Sequence, residues 1–124
     1  MEQEPTLAQP PGFSMHKQIE WKRQAQERRE WDAWLRVAAL AYGTHRRNGH
    51  SPFATGEISR LLKISRAATV SDAIRKAIEF GMLDRKSTAR CLVVRPHMVT
   101  GGQYGAPNEP CPVHGHGLVF TLPA

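Results

Sequence analysis

Between Gln18 and Tyr42 the chain contains neither Pro nor Gly, and Trp31, Trp34, Leu35, Ala38, Ala41 and Tyr42 recur at three- and four-residue spacing. That spacing puts them on one stripe of a single long helix, ended by Gly43. Its first half, "QIEWKRQAQERRE", is mostly charged. This predicts a solvated helical extension rather than a helix that docks a partner or a second copy through Trp21 and Ala25.

Next comes "THRRNGHSP", residues 44–52, with the Asn, Gly and Pro of a surface loop, and then Phe53 and Ala54 as a short strand. Thr55 is the expected N-cap of a short helix in which Ile58, Leu61 and Leu62 occupy i, i+3 and i+4. "KIS" turns the chain and points Ile64 inward. Ser65 or Thr69, the latter with Asp72 in a capping box, would cap the helix that follows. Over residues 66–80, Ala67, Val70, Ala73, Ile74, Ala77 and Ile78 share one side of the wheel, while Ala68, Thr69, Asp72, Arg75, Lys76 and Glu79 share the other. Gly81 fits the left-handed residue beyond a helix end. Residues 83–94 then read as a hairpin with a polar tip at Lys86 to Thr88, closed by Pro96.

The flanks have a different character. Residues 1–16, with Pro5, Pro10, Pro11 and Gly12, read as a flexible arm, and residues 96–124 form a Gly- and Pro-rich tail packed on or near the domain, with one β-like run, "LVFTL". The expected architecture is mainly α with a small β-hairpin (α+β), in one domain over residues 17–95. The chain's 124 residues allow one modest core. No apolar run is long enough to span a membrane and the start lacks the regions of a signal peptide, so a cytoplasmic location is expected.

Charge narrows the partner. Lys and Arg number 17 against 11 Asp and Glu, for a net +6 and a pI near 9.9, which favours polyanions such as nucleic acid. "EISRLLKISRAATVSDAIRKAIEFGMLDRK" resembles the winged helix-turn-helix DNA-binding proteins, and the chain over about residues 31–114, with "ARCLVV" and "CPVH", is similar to small winged-helix proteins of actinobacterial phages. The resemblance implies a sequence-specific, double-stranded DNA-binding transcriptional regulator without catalytic residues. The helix at 66–80 would read the major groove, with Arg66, Thr69 and Asp72 nearest the bases and Arg75 and Lys76 nearer phosphate. The wing at 83–94 would present Arg85, Lys86, Ser87, Thr88 and Arg90 to the backbone or minor groove. Many such domains bind as dimers, so a homodimer is compatible. The alternative is an interaction protein that uses the same scaffold to bind a host or partner protein, or a phage replication accessory factor.

Two cysteines remain, and in a reducing compartment both stay thiols. Cys91, His97, Cys111 and His114 have the ligand types of a tetrahedral zinc site, with Cys111 and His114 at two-residue spacing. Cys91 also lies in the apolar run "CLVV", where a thiol packs as a small hydrophobe. We take that apolar reading, with no cofactor, and keep the zinc set as its alternative.

Overall fold

The first helical region is two helices, not one: α1 (Gln18–Glu27) and α2 (Ala33–Thr44). This is seen in a computed structural model of the chain, which describes residues 15–96, 98–99 and 110–115. The backbone leaves the helix at Arg28, Trp31 N–H donates to the Arg28 carbonyl at 3.0 Å, and extended Asp32 opens α2. Residues 28–30 are exposed and carry no apolar side chain, so nothing rewards a straight continuation. Reversal instead packs one side of α1, although Ile19 stays exposed. Ala25 is fully buried, and Trp21 sets its ring edge-on to Tyr42 with centroids 5.4 Å apart. The expected solvated extension is thus a packed antiparallel helix, and Trp21 and Ala25 are used within the chain.

Gly43 does not end α2 but lies in its last turn. A Cβ there would meet Lys22 N at 2.4 Å and the Gln18 carbonyl oxygen at 2.8 Å, so the missing side chain is what lets the two backbones touch. Gln18 Nε2 then donates to the Tyr42 and His45 carbonyls, which end α2. At the other end of the pair Arg36, 5% exposed, donates from Nε to the Ala25 carbonyl (2.9 Å) and from Nη2 to the Leu62 carbonyl (2.8 Å). One guanidinium therefore satisfies the C-terminal carbonyls of two helices, where the helix dipoles favour a cation.

The second of those helices is α3 (Glu57–Leu62), followed by α4 (Ala67–Glu79). Left-handed Gly56, not Thr55, is the N-cap of α3, and the Glu57 carboxylate reaches back to the Ala54 N–H at 2.8 Å. Lys63, also left-handed, ends α3 and Ile64 packs against the core as expected. Neither Ser65 nor Thr69 caps α4; Arg66 holds the N-cap position in extended backbone with no side-chain bond to the helix. The apolar face of α4 buries Val70, Ala73, Ile74 and Ala77, while Ala67 is exposed and Ile78 half-buried. Gly81 is left-handed, with Gly81 N–H donating to the Ile78 carbonyl and Met82 N–H to that of Ala77, which together form a Schellman ending.

The strand expected at Phe53 and Ala54 lies earlier, as β1 (His50–Pro52). It pairs antiparallel with β2 (Cys91–Val93) in the register His50 to Val93, Ser51 to Leu92 and Pro52 to Cys91. A bridge between Leu83 and Val94, with Asp84 N–H donating to the Val93 carbonyl at 2.8 Å, brings the outgoing arm of the hairpin alongside. Residues opposite one another share a face. Leu92 joins the main core with Leu40, Leu62, Ile74 and Leu83, whereas Cys91 and Val93 turn the other way and form a small cluster with Cys111.

The described residues are thus an α+β arrangement of four helices and one two-stranded antiparallel sheet. Among them no helix is long and apolar enough to cross a membrane. The arm at residues 1–14, His97 and the "LVFTL" run lie outside the described residues.

Candidate functional site

Two places concentrate chemistry. The first is the polar face of α4 with the hairpin that follows. Arg66, Asp72, Arg75 and Lys76 are exposed, opposite the buried Val70, Ala73, Ile74 and Ala77, and Thr69 is half-buried. Arg75 Nη2 pairs with Asp72 Oδ1 at 2.7 Å, so one of the two acidic residues on this face is matched by its neighbour one turn on, while Glu79 stands exposed at the end of the helix. Arg60 and Lys63 line an open depression at the α3–α4 turn with Ser59, Ile64 and Ser65.

In the hairpin Arg85 and Lys86 are exposed. Ser87 is not available as a surface contact. It is buried, and its hydroxyl accepts from Val93 N–H at 2.9 Å and donates to the Val93 carbonyl at 3.2 Å, latching the hairpin. Thr88 Oγ1 accepts the N–H groups of Arg90 and Cys91 and so shapes the turn. Arg90 is exposed, but its Nε donates to the Phe53 carbonyl at 2.8 Å. Arg66, Lys76, Arg85 and Lys86 form no ion pair among the described residues.

The second place lies on the far face of the sheet. Cys91, Cys111 and His114 come together there, and the fourth member is His50, which sequence reasoning missed; His97 lies outside the described residues. One donor atom from each of the four lies within 4.8 Å of every other. The Sγ atoms of Cys91 and Cys111 are 3.5 Å apart, and the Nδ1 atoms of His50 and His114 are 3.2 Å apart. Cys91 Sγ to His50 Nδ1 and Cys111 Sγ to His114 Nδ1 are both 3.6 Å.

The surroundings are specific. His50 is delivered by β1 and Cys91 by β2, on the same face by register. Cys111 and His114 come from a turn closed by Gly115 N–H on the Cys111 carbonyl, with Gly115 left-handed. Val113 and His114 both direct backbone N–H groups at Cys111 Sγ, each at 3.3 Å. His114 Nε2 bonds to the Lys86 carbonyl at 2.9 Å. Burial, reinforced by nearby His114 and Lys86, holds the His50 imidazole down to about 4, so it is neutral at pH 7. Burial and the adjacent Cys111 push the Cys91 thiol up, so without a cation it stays protonated. Nothing in the spacing of residues 50, 91, 111 and 114 marks His50; only the strand register brings it in.

No protein-family model, no curated protein and no solved structure matches this chain.

Proposed function

We propose that the chain binds double-stranded DNA as a winged helix-turn-helix protein and acts as a sequence-specific, phage-type transcriptional regulator. The observation that carries this reading is the polar side of α4. It follows a four-residue turn from α3, is fixed by an apolar face on the core, and presents Arg66, Arg75 and Lys76 outward. A helix fits the major groove, where base edges are distinguishable, and the helix before it braces against the backbone. The order helix, strand, helix, turn, helix and hairpin supports the same reading, with the hairpin as wing.

In this reading Arg66 reads guanine with its planar fork, Thr69 stands beside it, and Lys76, Arg85 and Lys86 take phosphates. Asp72 orients Arg75. Thr88 and Arg90 hold the wing, and Ser87 serves as its internal latch. The interaction-protein reading through α1 has less to work with, since Trp21 and Ala25 face α2.

Selection of a random duplex library by the purified full-length chain near physiological salt is the test. An enriched motif supports the regulator, and a two-fold symmetric one shows a dimer on DNA. Retention without enrichment would remove sequence specificity, and no retention would remove DNA as the ligand.

A further inference from the structure

We propose that His50, Cys91, Cys111 and His114 bind one zinc ion in a closed structural centre that fastens residues 110–115 onto the sheet and the hairpin. The distances carry the argument. Zinc bonds of about 2.3 Å to sulfur and about 2.05 Å to nitrogen, at tetrahedral angles, require edges of about 3.8 Å for S to S, 3.6 Å for S to N and 3.3 Å for N to N. Four of the six edges are observed, at 3.5 Å, 3.6 Å twice and 3.2 Å, and the remaining two are no longer than 4.8 Å. Four donors from three separate segments therefore converge around one point at spacings that a single zinc ion can bridge.

Chemistry supports the same assignment. Two thiolates and two neutral imidazoles are the set that zinc prefers, and loading displaces the two thiol protons to solvent. The charge of the ion is then cancelled by its ligands, which suits a buried place. Backbone N–H groups of Val113 and His114, each 3.3 Å from Cys111 Sγ, are the donors that a metal-bound sulfur accepts and orient it toward the other three ligands. The bond from His114 Nε2 to the Lys86 carbonyl fixes the tautomer that leaves Nδ1 free to ligate. Four protein ligands leave no open position for water or substrate, so the centre is structural rather than catalytic.

Residues 110–115 also need such an anchor. Pro110, Pro112, Val113 and Gly115 are exposed, and among the described residues Cys111 is the segment's sole buried side chain. A disulfide is the rival way to use the two sulfurs, but they sit 3.5 Å apart against about 2.05 Å for a bond. It would also give the facing histidines no role.

The test uses the full-length chain purified under reducing conditions, stripped with a chelator, and titrated first with Co2+ alone and then with Zn2+. We expect uptake of one ion per chain, the visible bands of tetrahedral cobalt, a thiolate-to-cobalt charge-transfer band, and bleaching by one equivalent of Zn2+. Cys111→Ser should roughly halve the charge-transfer intensity and weaken binding by about tenfold or more, since loss of even an outer partner costs that much. His97→Ala should leave the spectrum unchanged. The wild-type titration stands alone if the serine variant does not fold. Failure of the folded wild type to take up cobalt, six-coordinate cobalt bands, or a Cys91 to Cys111 disulfide persisting under reducing conditions would each overturn the centre. A spectrum lost in His97→Ala but kept in His50→Ala would overturn the ligand set.

Discussion

Replacing Gly43 by Ala tests the helical pairing on which the rest of the domain is built. The new methyl carbon would sit 2.4 Å from Lys22 N, 2.8 Å from the Gln18 carbonyl oxygen and 2.9 Å from Lys22 Cα. All three are backbone atoms, so no side chain can swing aside. Restoring ordinary contact of about 3.4 Å requires α1 and α2 to separate locally by about 1 Å, and overpacking of this kind costs about 1–3 kcal/mol or more. Separation also lengthens the bonds from Gln18 Nε2 to the Tyr42 and His45 carbonyls, now 3.0 and 3.1 Å. Against this, Ala is better than Gly in a helix by about 1 kcal/mol. Because backbone atoms cannot yield, the cost lies at the top of that range or above it, and the balance is a loss of about 2 kcal/mol, or roughly 8 °C in Tm for a chain of this size. Urea and thermal unfolding followed by circular dichroism, at fixed zinc concentration, would measure it. Gly56→Ala is the control: its Cβ meets nothing within 4 Å, so only its positive φ penalises it, by about 1–2 kcal/mol. A Gly43→Ala chain as stable as wild type, or more so, would refute close packing of α1 on α2.

Arg36→Met keeps an apolar stem but leaves the Ala25 and Leu62 carbonyls without their donor, and a loss of about 3 kcal/mol in urea unfolding is expected. Arg36→Lys should recover part of this, because a point ammonium cannot replace the fork. On DNA, phosphate contacts by Lys76, Arg85 and Lys86 predict a log affinity against log salt slope of about −2.7 per bound chain, or about 40-fold weakening from 50 to 200 mM. Lys86→Ala should reduce that slope by about one and weaken all sequences alike, whereas Arg66→Ala should relax preference at one position. The reverse pattern in a filter-binding salt series would exchange their roles. Chelation of the zinc-loaded chain should release residues 110–115, make the Cys111 thiol reactive to a disulfide reagent and lower the affinity for duplex DNA. Unchanged Cys111 reactivity would separate that thiol from the metal, and unchanged affinity would uncouple the centre from the hairpin.

Legibility in the sequence followed the strength of local signals. The period of Val70, Ala73, Ile74 and Ala77 marks α4 unambiguously, and the left-handed demand at its end marks Gly81. The break between α1 and α2 carries no Pro or Gly, and the stripe from Trp31 to Tyr42 persists through the second helix. Only the tertiary gain from folding α1 back reveals the reversal. Gly43 looks like a helix stop in sequence because its actual role, admitting the backbone of Gln18 and Lys22, depends on a helix much earlier in the chain. Three of the four zinc ligands have the right residue type in a Gly- and Pro-rich setting or a core strand. His50 was invisible because it belongs to a three-residue strand whose partner is set by long-range pairing.

That pairing also explains why the two chemical places belong to one device. A two-stranded sheet of three residues per strand cannot hold itself together in water. One face is secured by Leu92 within the main core, and the other offers Cys91, Val93, His50 and Pro52, too little apolar area to hold a chain segment. Metal ligation replaces the missing core on that face. Through His114 it grips the main-chain carbonyl of Lys86, the residue whose side chain stands free at the tip of the hairpin. On the proposed DNA-binding reading, Lys86 is therefore positioned by the backbone that the zinc centre holds, so loss of the ion would act on DNA binding through the geometry of the hairpin rather than through its charge.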